Sequence, residues 1–251
     1  MATALITGAT SGIGREIAWQ LAAERMNLIL VARSADRLEE VAEHIRQVAD
    51  VEVEVLPADL SQAEGTLRVC ERLIDDERPV GLLVNNAGFG LGQDFVGGDI
   101  ERELNALNVM VRAVLMTCHA AIPGMVARGG GGILNIASMA ALTAQGTYSA
   151  HKAWVRTFTE GLAASLRGTG VNATVVCPGL VHTEFHEKVD VDPGQWPESA
   201  FIPAERVAAE AIEGVRRGKV VVTPSRRYRA LAGALKVAPR SLVRAVAGPE
   251  S

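Results

Sequence analysis

The chain has 251 residues, of which 48% are hydrophobic and 22% are charged, a balance typical of soluble globular proteins. Its formal net charge of −4 gives no indication of a nucleic-acid surface over the chain as a whole, and its three cysteines, Cys70, Cys118 and Cys177, match no metal or redox spacing. We find neither a signal peptide nor an uncharged apolar run long enough to span a bilayer, which predicts a cytoplasmic protein.

Short apolar runs that suit buried strands alternate along the chain with runs of helical apolar spacing. We predict strands over residues 2–7, 27–32, 51–57, 81–85, 133–137, 171–177 and 219–223. We predict helices over residues 12–25, 34–49, 62–76, 99–128, 148–167 and 203–217. This alternation, with no linker or repeat, predicts a single doubly wound α/β domain over residues 1–251, with a parallel sheet and a core over residues 2–223.

Two stretches depart from the regular pattern. Pro123 lies inside the predicted helix 99–128 and should break or kink it, because proline has no N–H to donate. Residues 181–201 have no clean period, and we predict a loop with short helical pieces there.

A glycine-rich turn joins the first strand to the first helix, with the sequence Thr7-Gly8-Ala9-Thr10-Ser11-Gly12-Ile13-Gly14. Glycines in such a turn let the backbone approach a pyrophosphate, whose charge is favoured by the free N–H groups at the helix start. The alternative is a tight turn that binds no ligand.

Tyr148 and Lys152 are four residues apart on a predicted helix, so both side chains can point the same way. A lysine ammonium held near a tyrosine favours the phenolate and should lower the tyrosine pKa from about 10. Such a pair could move a proton at neutral pH. On its own, this spacing more often gives an ordinary surface contact.

Four motifs occur together and in a fixed order along the chain. They are the glycine-rich turn, the run Asn85-Asn86-Ala87-Gly88, Ser138 within Asn135-Ile136-Ala137-Ser138, and the Tyr148/Lys152 pair. This set, which covers residues 3–223, resembles the short-chain dehydrogenase/reductase family. The resemblance implies a Rossmann-like sheet of strand order 3-2-1-4-5-6-7 and helices on both faces. It also implies hydride transfer between a nicotinamide cofactor and a carbonyl or secondary alcohol.

The resemblance also implies four active-site residues. Tyr148 would be the general acid or base, Lys152 would lower its pKa and hold the nicotinamide ribose, and Ser138 would hydrogen-bond the substrate oxygen. The fourth is an asparagine of the long helix that holds a water beside the lysine. Asn105 and Asn108 both compete for this role, and we favour Asn108 because Asn108-Val109 fits the family pattern better.

Cofactor choice depends on the end of the second strand. No carboxylate follows this strand to hold the ribose hydroxyl of NAD, whereas Arg33 could face the extra phosphate of NADP(H), with Ser34 and Ser11 adding hydroxyl groups. NADP-preferring relatives often carry a second basic residue at the position of Ser11, so half of the usual pair is missing. We predict NADP(H), with NAD(H) as the alternative.

By resemblance, the cofactor would contact residues of six separate stretches. They are Gly8, Thr10, Ser11, Gly12, Ile13, Gly14, Arg33, Ser34, Asp59, Leu60, Asn86, Ala87, Gly88, Tyr148, Lys152, Pro178, Gly179, Val181 and Thr183. Asp59 or Ser61 could instead cap the next helix. Asn85 would stabilise the central sheet and line the adenosine side. We predict no metal site, although His182, Glu184 and His186 are close in sequence.

The loops 89–95 and 139–142 should border the substrate cleft, and they are mostly apolar. We therefore expect a small, neutral and fairly apolar ketone, aldehyde or alcohol. Family resemblance implies a homo-oligomer, either a dimer or a tetramer. A protein that binds dinucleotide as a sensor or scaffold is the alternative from another class, and loss of Tyr148, Lys152 or Ser138 would have favoured it.

Residues 224–251 form a basic C-terminal extension beyond the family core. Leu231, Leu235, Ala238, Leu242 and Val246 recur near helical spacing, and Pro239 should divide the run in two. A basic amphipathic pattern can indicate contact with a membrane surface. We expect this apolar stripe to pack on the substrate lid or on a neighbouring subunit instead, because short pieces bury little area in a bilayer.

Overall fold

The computed structural model describes residues 2–182 and 197–247, without the side chains of residues 246 and 247. Its strands are β1 (Thr3–Thr7), β2 (Asn27–Ala32), β3 (Val53–Pro57), β4 (Leu82–Asn85), β5 (Gly131–Ile136), β6 (Val171–Val176) and β7 (Val221–Val222). All pair in parallel, in the order β3-β2-β1-β4-β5-β6-β7. This confirms the predicted sheet and its strand order.

The helices lie on both faces of this sheet. They are α1 (Gly12–Ala23), α2 (Ala35–Val48), α3 (Ala63–Leu73), α4 (Ile100–Leu107), α5 (Ala113–Ala127), α6 (Gly146–Ser165), α7 (Ala204–Arg216), α8 (Arg226–Val237) and α9 (Arg240–Ala247). One buried cluster joins α1, α2 and α7 to the sheet, and a second joins α3, α5 and α6 to the opposite face. That residues 1–251 form a single domain stays a prediction.

The long helix is continuous over residues 100–127, and Pro123 does not break it. Pro123 and His119, whose carbonyl loses its usual donor, are both exposed, so water can satisfy that carbonyl. The irregularity lies earlier, where one turn of π-helix, Asn108–Arg112, separates α4 from α5. The predicted break at Pro123 is therefore wrong, and the alternative of a kink there stays a prediction.

Among the described residues, this helix (Ile100–Ala127) is the one that is long and apolar enough to cross a membrane, judged by length and composition alone. The core helix of a soluble protein passes the same test. Here Ala106, Met110, Ala113 and Cys118 are buried in the second cluster, against the sheet. A cytoplasmic location stays a prediction.

The C-terminal extension forms two helices, and Pro239 lies between them as predicted. Within this single chain, Leu231 is 47% exposed and Leu242 is 55% exposed, whereas Ala232 and Val243 are the buried residues. The extension therefore packs on its own chain through a different face from the predicted apolar stripe. Packing of that stripe on a neighbouring subunit stays a prediction.

The Thr7 side chain ties the end of β1 to the segment that follows β4. Its hydroxyl oxygen accepts hydrogen bonds from the N–H groups of Asn86 (3.0 Å) and Ala87 (3.1 Å), and it donates to the Val84 carbonyl at 3.4 Å. Thr7 itself is buried, whereas Asn86 and Ala87 are partly exposed. One hydroxyl thus fixes two of the predicted cofactor-binding segments to each other.

We expect Thr7→Val to lower the free energy of unfolding by about 1–3 kcal/mol, because valine has the same shape but leaves the N–H groups of the partly buried Asn86 and Ala87 without this acceptor. Denaturant titration measures the loss. Thr7→Ser keeps the hydroxyl and serves as the matched control. Equal stability of the valine and serine variants would contradict this account.

Candidate active site

The glycine-rich turn leaves no room for side chains between β1 and α1. Gly8 has φ +68° and Gly12 has φ +53°, a backbone region that favours glycine. A Cβ at Gly14 would lie 2.4 Å from the Gly8 carbonyl oxygen and 2.4 Å from Nδ2 of Asn86. The Asn86 amide underlies the turn by donating to the carbonyls of Thr7 (3.0 Å) and Gly8 (3.2 Å).

The first N–H groups of α1 are not capped by a side chain. Ser11 is the N-cap residue, and its hydroxyl makes no capping hydrogen bond. Thr10, Ser11, Gly12 and Ile13 are all partly exposed at this helix start. Uncapped N–H groups and close glycine backbone form a cradle that fits the pyrophosphate of a dinucleotide.

Arg33 and Ser34 follow β2 at the same edge of the sheet. The Gly8 N–H donates to the Val31 carbonyl at 2.8 Å, which brings the glycine-rich turn beside the end of β2. Arg33 is exposed, and Ser34 is the N-cap of α2, where its hydroxyl accepts from the Arg37 N–H at 3.3 Å. Arg33 is therefore exposed near the turn, and its contact with an anion stays a prediction.

The segment after β3 folds on itself. Asp59 accepts hydrogen bonds through Oδ1 from the N–H (3.0 Å) and the hydroxyl (2.8 Å) of Ser61, and Leu60 is buried. The N-cap of α3 is Gln62, which makes no side-chain capping bond. The alternative that Asp59 or Ser61 caps this helix is therefore wrong.

The two asparagines after β4 have different surroundings. The Asn85 side chain is buried, where it donates to Asn135 at 3.0 Å and accepts from the Thr117 hydroxyl at 2.9 Å. It stabilises the sheet as predicted, but it does not line the adenosine side, because its amide faces the core. Asn86 is the residue that faces the glycine-rich turn.

Gly88 lies directly beside the buried lysine. A Cβ there would lie 3.2 Å from Nζ of Lys152 and 3.5 Å from Met110. Ala87, which precedes it, packs against the second cluster. Ala87 and Gly88, which follow β4, thus form a floor of small residues between the glycine-rich turn and α6.

Ser138, Tyr148 and Lys152 come together where β5 ends and α6 begins. The hydroxyls of Ser138 and Tyr148 are hydrogen-bonded, and Nζ of Lys152 lies 5.7 Å from the centroid of the Tyr148 ring. Lys152 is buried, and its ammonium donates to the Ile136 carbonyl at 2.9 Å. Three separate sequence motifs therefore form one cluster.

Burial sets the proton affinities of this cluster. It raises the pKa of Tyr148 to about 12, with the Ser138 hydrogen bond acting in the opposite direction. It lowers the pKa of Lys152 to about 8, partly offset by the nearby Cys177 thiol. The expected lowering of the tyrosine pKa by Lys152 is thus not seen, because burial outweighs the cation and the ammonium is turned to a backbone carbonyl.

Asn108 opens the π-helical turn, and its amide donates to the Ser61 carbonyl at 3.0 Å. Its side chain therefore reaches the segment after β3 rather than Lys152. Asn105 lies one turn earlier in α4 and is half-buried. The role of Asn108 stays a prediction, with the π-helical turn as a feature that often marks functional sites.

The segment after β6 completes the cluster. The Pro178 carbonyl accepts from the Met139 N–H at 2.8 Å, next to Ser138, and the buried Val181 pairs with Ile202. The predicted contact at Thr183 lies outside the described residues. Within the described part of the chain, no group of three or more His, Cys, Asp or Glu side chains is placed to hold a metal ion.

Two residues at this edge were missed by sequence reasoning. Thr7 was counted only as part of the motif, although its hydroxyl joins two segments. Tyr228 packs on Gly179 and donates to the Ala200 carbonyl, but no sequence spacing linked α8 to this edge.

Comparison with known proteins agrees with this geometry. Residues 2–193 match the family described as short chain dehydrogenase. Sulfoacetaldehyde reductase 2 of Chromohalobacter salexigens is 37% identical over 186 residues, which cover 72% of this chain and 73% of that protein.

Solved structures show the same likeness. A short-chain dehydrogenase from Sphingobium yanoikuyae in complex with NADPH matches with a TM-score of 0.84 and 32% identity, over 94% of each chain. A short-chain dehydrogenase/reductase from Burkholderia phymatum in complex with NAD matches with a TM-score of 0.80 and 25% identity, over 94% of this chain and 92% of that chain.

The lowered pKa of Lys152 makes stability depend on pH. Because this pKa falls from its ordinary 10.5 to about 8, the unfolded chain binds more protons than the folded chain between these values. We expect the free energy of unfolding to rise with pH across that window, by up to about 3 kcal/mol relative to Lys152→Met. Denaturant titrations of both proteins at several pH values measure this difference, and a constant difference from pH 7 to 10.5 would contradict it.

Proposed function

Because the chain belongs to the short-chain dehydrogenase family, we propose that it is an NADP(H)-dependent oxidoreductase that interconverts a carbonyl and a secondary alcohol. The observation that carries this proposal is the joining of Ser138, Tyr148 and Lys152 beside a glycine cradle that fits a dinucleotide. A non-catalytic sensor would have no need of a hydrogen-bonded serine and tyrosine at the edge of that cradle.

In the reductive direction, a bound nicotinamide dinucleotide supplies the hydride to the carbonyl carbon. The Tyr148 hydroxyl gives its proton to the carbonyl oxygen, and the Ser138 hydroxyl donates a hydrogen bond to the same oxygen as charge develops there. A tyrosine pKa of about 12 keeps the hydroxyl protonated at neutral pH, which is the form that reduction needs.

Lys152 has two proposed roles. Its buried ammonium, close to the floor at Gly88, would donate to the ribose hydroxyls beside the nicotinamide. With a pKa of about 8, it can also pass a proton toward Tyr148 after each turnover. Asn108 would support this path from the π-helical turn.

Arg33 supports NADP(H) over NAD(H). It is exposed at the end of β2, beside the glycine-rich turn, where the extra phosphate of NADP(H) would lie. The Sphingobium yanoikuyae relative was solved with NADPH, but the Burkholderia phymatum relative was solved with NAD. The proposed preference for NADP(H) therefore rests on Arg33 of this chain and not on the relatives.

The proposed substrate is a small, neutral and fairly apolar carbonyl compound or alcohol. The described loops that follow Gly88 and Ser138 contain the apolar residues Phe89, Leu91, Met139 and Leu142, with no arginine or lysine among residues 89–95 and 139–142. A sulfonate such as that of the sulfoacetaldehyde reductase substrate would find no cation in these two loops. We further propose that the protein is a cytoplasmic homo-oligomer, by analogy with its family.

We expect Tyr148→Phe to lower kcat by about 10²- to 10⁴-fold while the Kd for the cofactor stays within about twofold, because only the proton donor is lost. Lys152→Met should impair both quantities, since it also removes the ribose contact. Steady-state kinetics on a panel of carbonyls and alcohols, together with fluorescence titration of the cofactor, measure the two effects. Near-normal turnover by Tyr148→Phe would refute the mechanism.

We expect Arg33→Ala to raise the Kd for NADPH by about 10- to 150-fold and to leave the Kd for NADH unchanged, because one charge-assisted hydrogen bond is lost. Arg102→Ala removes an exposed arginine of α4 and is the matched control. Equal affinity of the unaltered protein for the two cofactors would contradict the preference for NADP(H).

A further inference from the structure

The turn Pro178–Val181 is held from outside the family motifs by one aromatic side chain. The Tyr228 hydroxyl accepts a hydrogen bond from the Leu180 N–H at 3.2 Å and donates to the Ala200 carbonyl at 2.9 Å. A hydroxyl that accepts once and donates once at these distances has its hydrogen-bonding capacity well used. Tyr228 therefore joins the chain just after β6 to the chain just before α7.

The Tyr228 ring also explains why position 179 is a glycine. Its φ lies outside the left-handed region, so the backbone conformation does not require glycine. A Cβ at this position would lie 2.1 Å from Cζ and 2.3 Å from Cε1 and Cε2 of Tyr228. The glycine therefore permits the ring to lie directly on the backbone of the turn.

Other contacts hold α8 in place independently of the tyrosine. The Ser225 N–H donates to Glu210 at 3.4 Å, and the Arg229 guanidinium donates to the same carboxylate at 3.3 Å. Farther along, Arg240 of α9 donates to the Leu142 carbonyl at 3.2 Å. Tyr228 thus projects onto the turn from a helix whose position does not depend on its contact with the turn.

We propose that Tyr228 is a positioning residue that sets the backbone of Leu180 and Val181 against the nicotinamide end of the cofactor. The inference rests on the proposed function and on the cofactor contact that family resemblance implies for Val181, whose backbone would meet the nicotinamide carboxamide. Tyr228 does not contact the reacting atoms. It acts through the Leu180 N–H and the Gly179 backbone, so its removal affects the nicotinamide end and spares the adenosine end.

The test compares Tyr228→Phe, which keeps the ring and loses the hydroxyl, with Arg229→Ala, which weakens the docking of α8 to Glu210 and leaves the turn untouched. Two Kd values are measured for each protein. One is for whichever of NADPH and NADH the unaltered protein binds more tightly. The other is for the matching fragment without nicotinamide, adenosine 2′,5′-bisphosphate or ADP.

In Tyr228→Phe we expect the cofactor to bind about three- to tenfold more weakly, as for one lost hydrogen bond, while the fragment binds as before. Arg229→Ala should leave the ratio of the two Kd values unchanged. If Tyr228 had a purely structural role, Tyr228→Phe would weaken binding of the cofactor and of the fragment equally. That result, or no change in the ratio of the two Kd values, overturns the inference. If the unaltered protein binds neither dinucleotide, the proposed function fails and this inference fails with it. Binding without turnover of any carbonyl would refute the proposed function alone.

A second pair of variants tests the contact between ring and glycine. We expect Gly179→Ala to weaken binding of the cofactor but not of the fragment, because the new methyl group displaces the Tyr228 ring. In a Tyr228→Ala background the methyl group has room, so Gly179→Ala should add little further loss. Fully additive losses would show that the ring does not act through Gly179 and would overturn this part of the inference.

Discussion

The hydrogen bond from the Asn135 amide to the Thr159 hydroxyl, 2.9 Å long and fully buried, fixes β5 to α6. Ser138 follows that strand, whereas Tyr148 and Lys152 lie on that helix, so the geometry of the cluster depends on this junction. Asn135 also accepts from Asn85, which in turn accepts from Thr117 of α5. A buried polar network whose members all find partners is costly to rearrange, which holds both helices in one orientation on the sheet.

The buried charge of Lys152 has a cost in stability. Lys152 loses hydration on folding, and a single carbonyl, that of Ile136, replaces only part of it. The protein accepts this cost at the point where a ribose and a proton path would need an ammonium. Burial favours the neutral form of both groups, and it raises the pKa of Tyr148 because the neutral tyrosine is the protonated form. The two shifts bring the pKa of the lysine close to neutrality while that of the tyrosine stays far above it.

Much of the fold could be predicted from the sequence because its signals are local. A continuous apolar strand such as β1 and the glycines that follow it reveal their structure within ten residues. Tyr228 could not be found in this way, because its partners Gly179 and Leu180 are almost 50 residues away and no periodicity connects them. The effect of Pro123 depended on the exposure of His119, and the pKa of Tyr148 depended on burial. Neither quantity is visible in a linear motif.

The π-helical turn Asn108–Arg112 constrains how the length of this helix can change during evolution. Removing one of its residues would restore a regular α-helix. Because a π-helix has more residues per turn than an α-helix, this deletion would leave α5 close to its present orientation and keep Thr117 beside Asn85, to which it now donates at 2.9 Å. A deletion in the regular α-helical parts between α4 and Thr117 would instead turn the two flanks against each other by about 100°. We therefore expect single-residue deletions in this helix to be tolerated within Asn108–Arg112 and to be excluded from the α-helical residues around it.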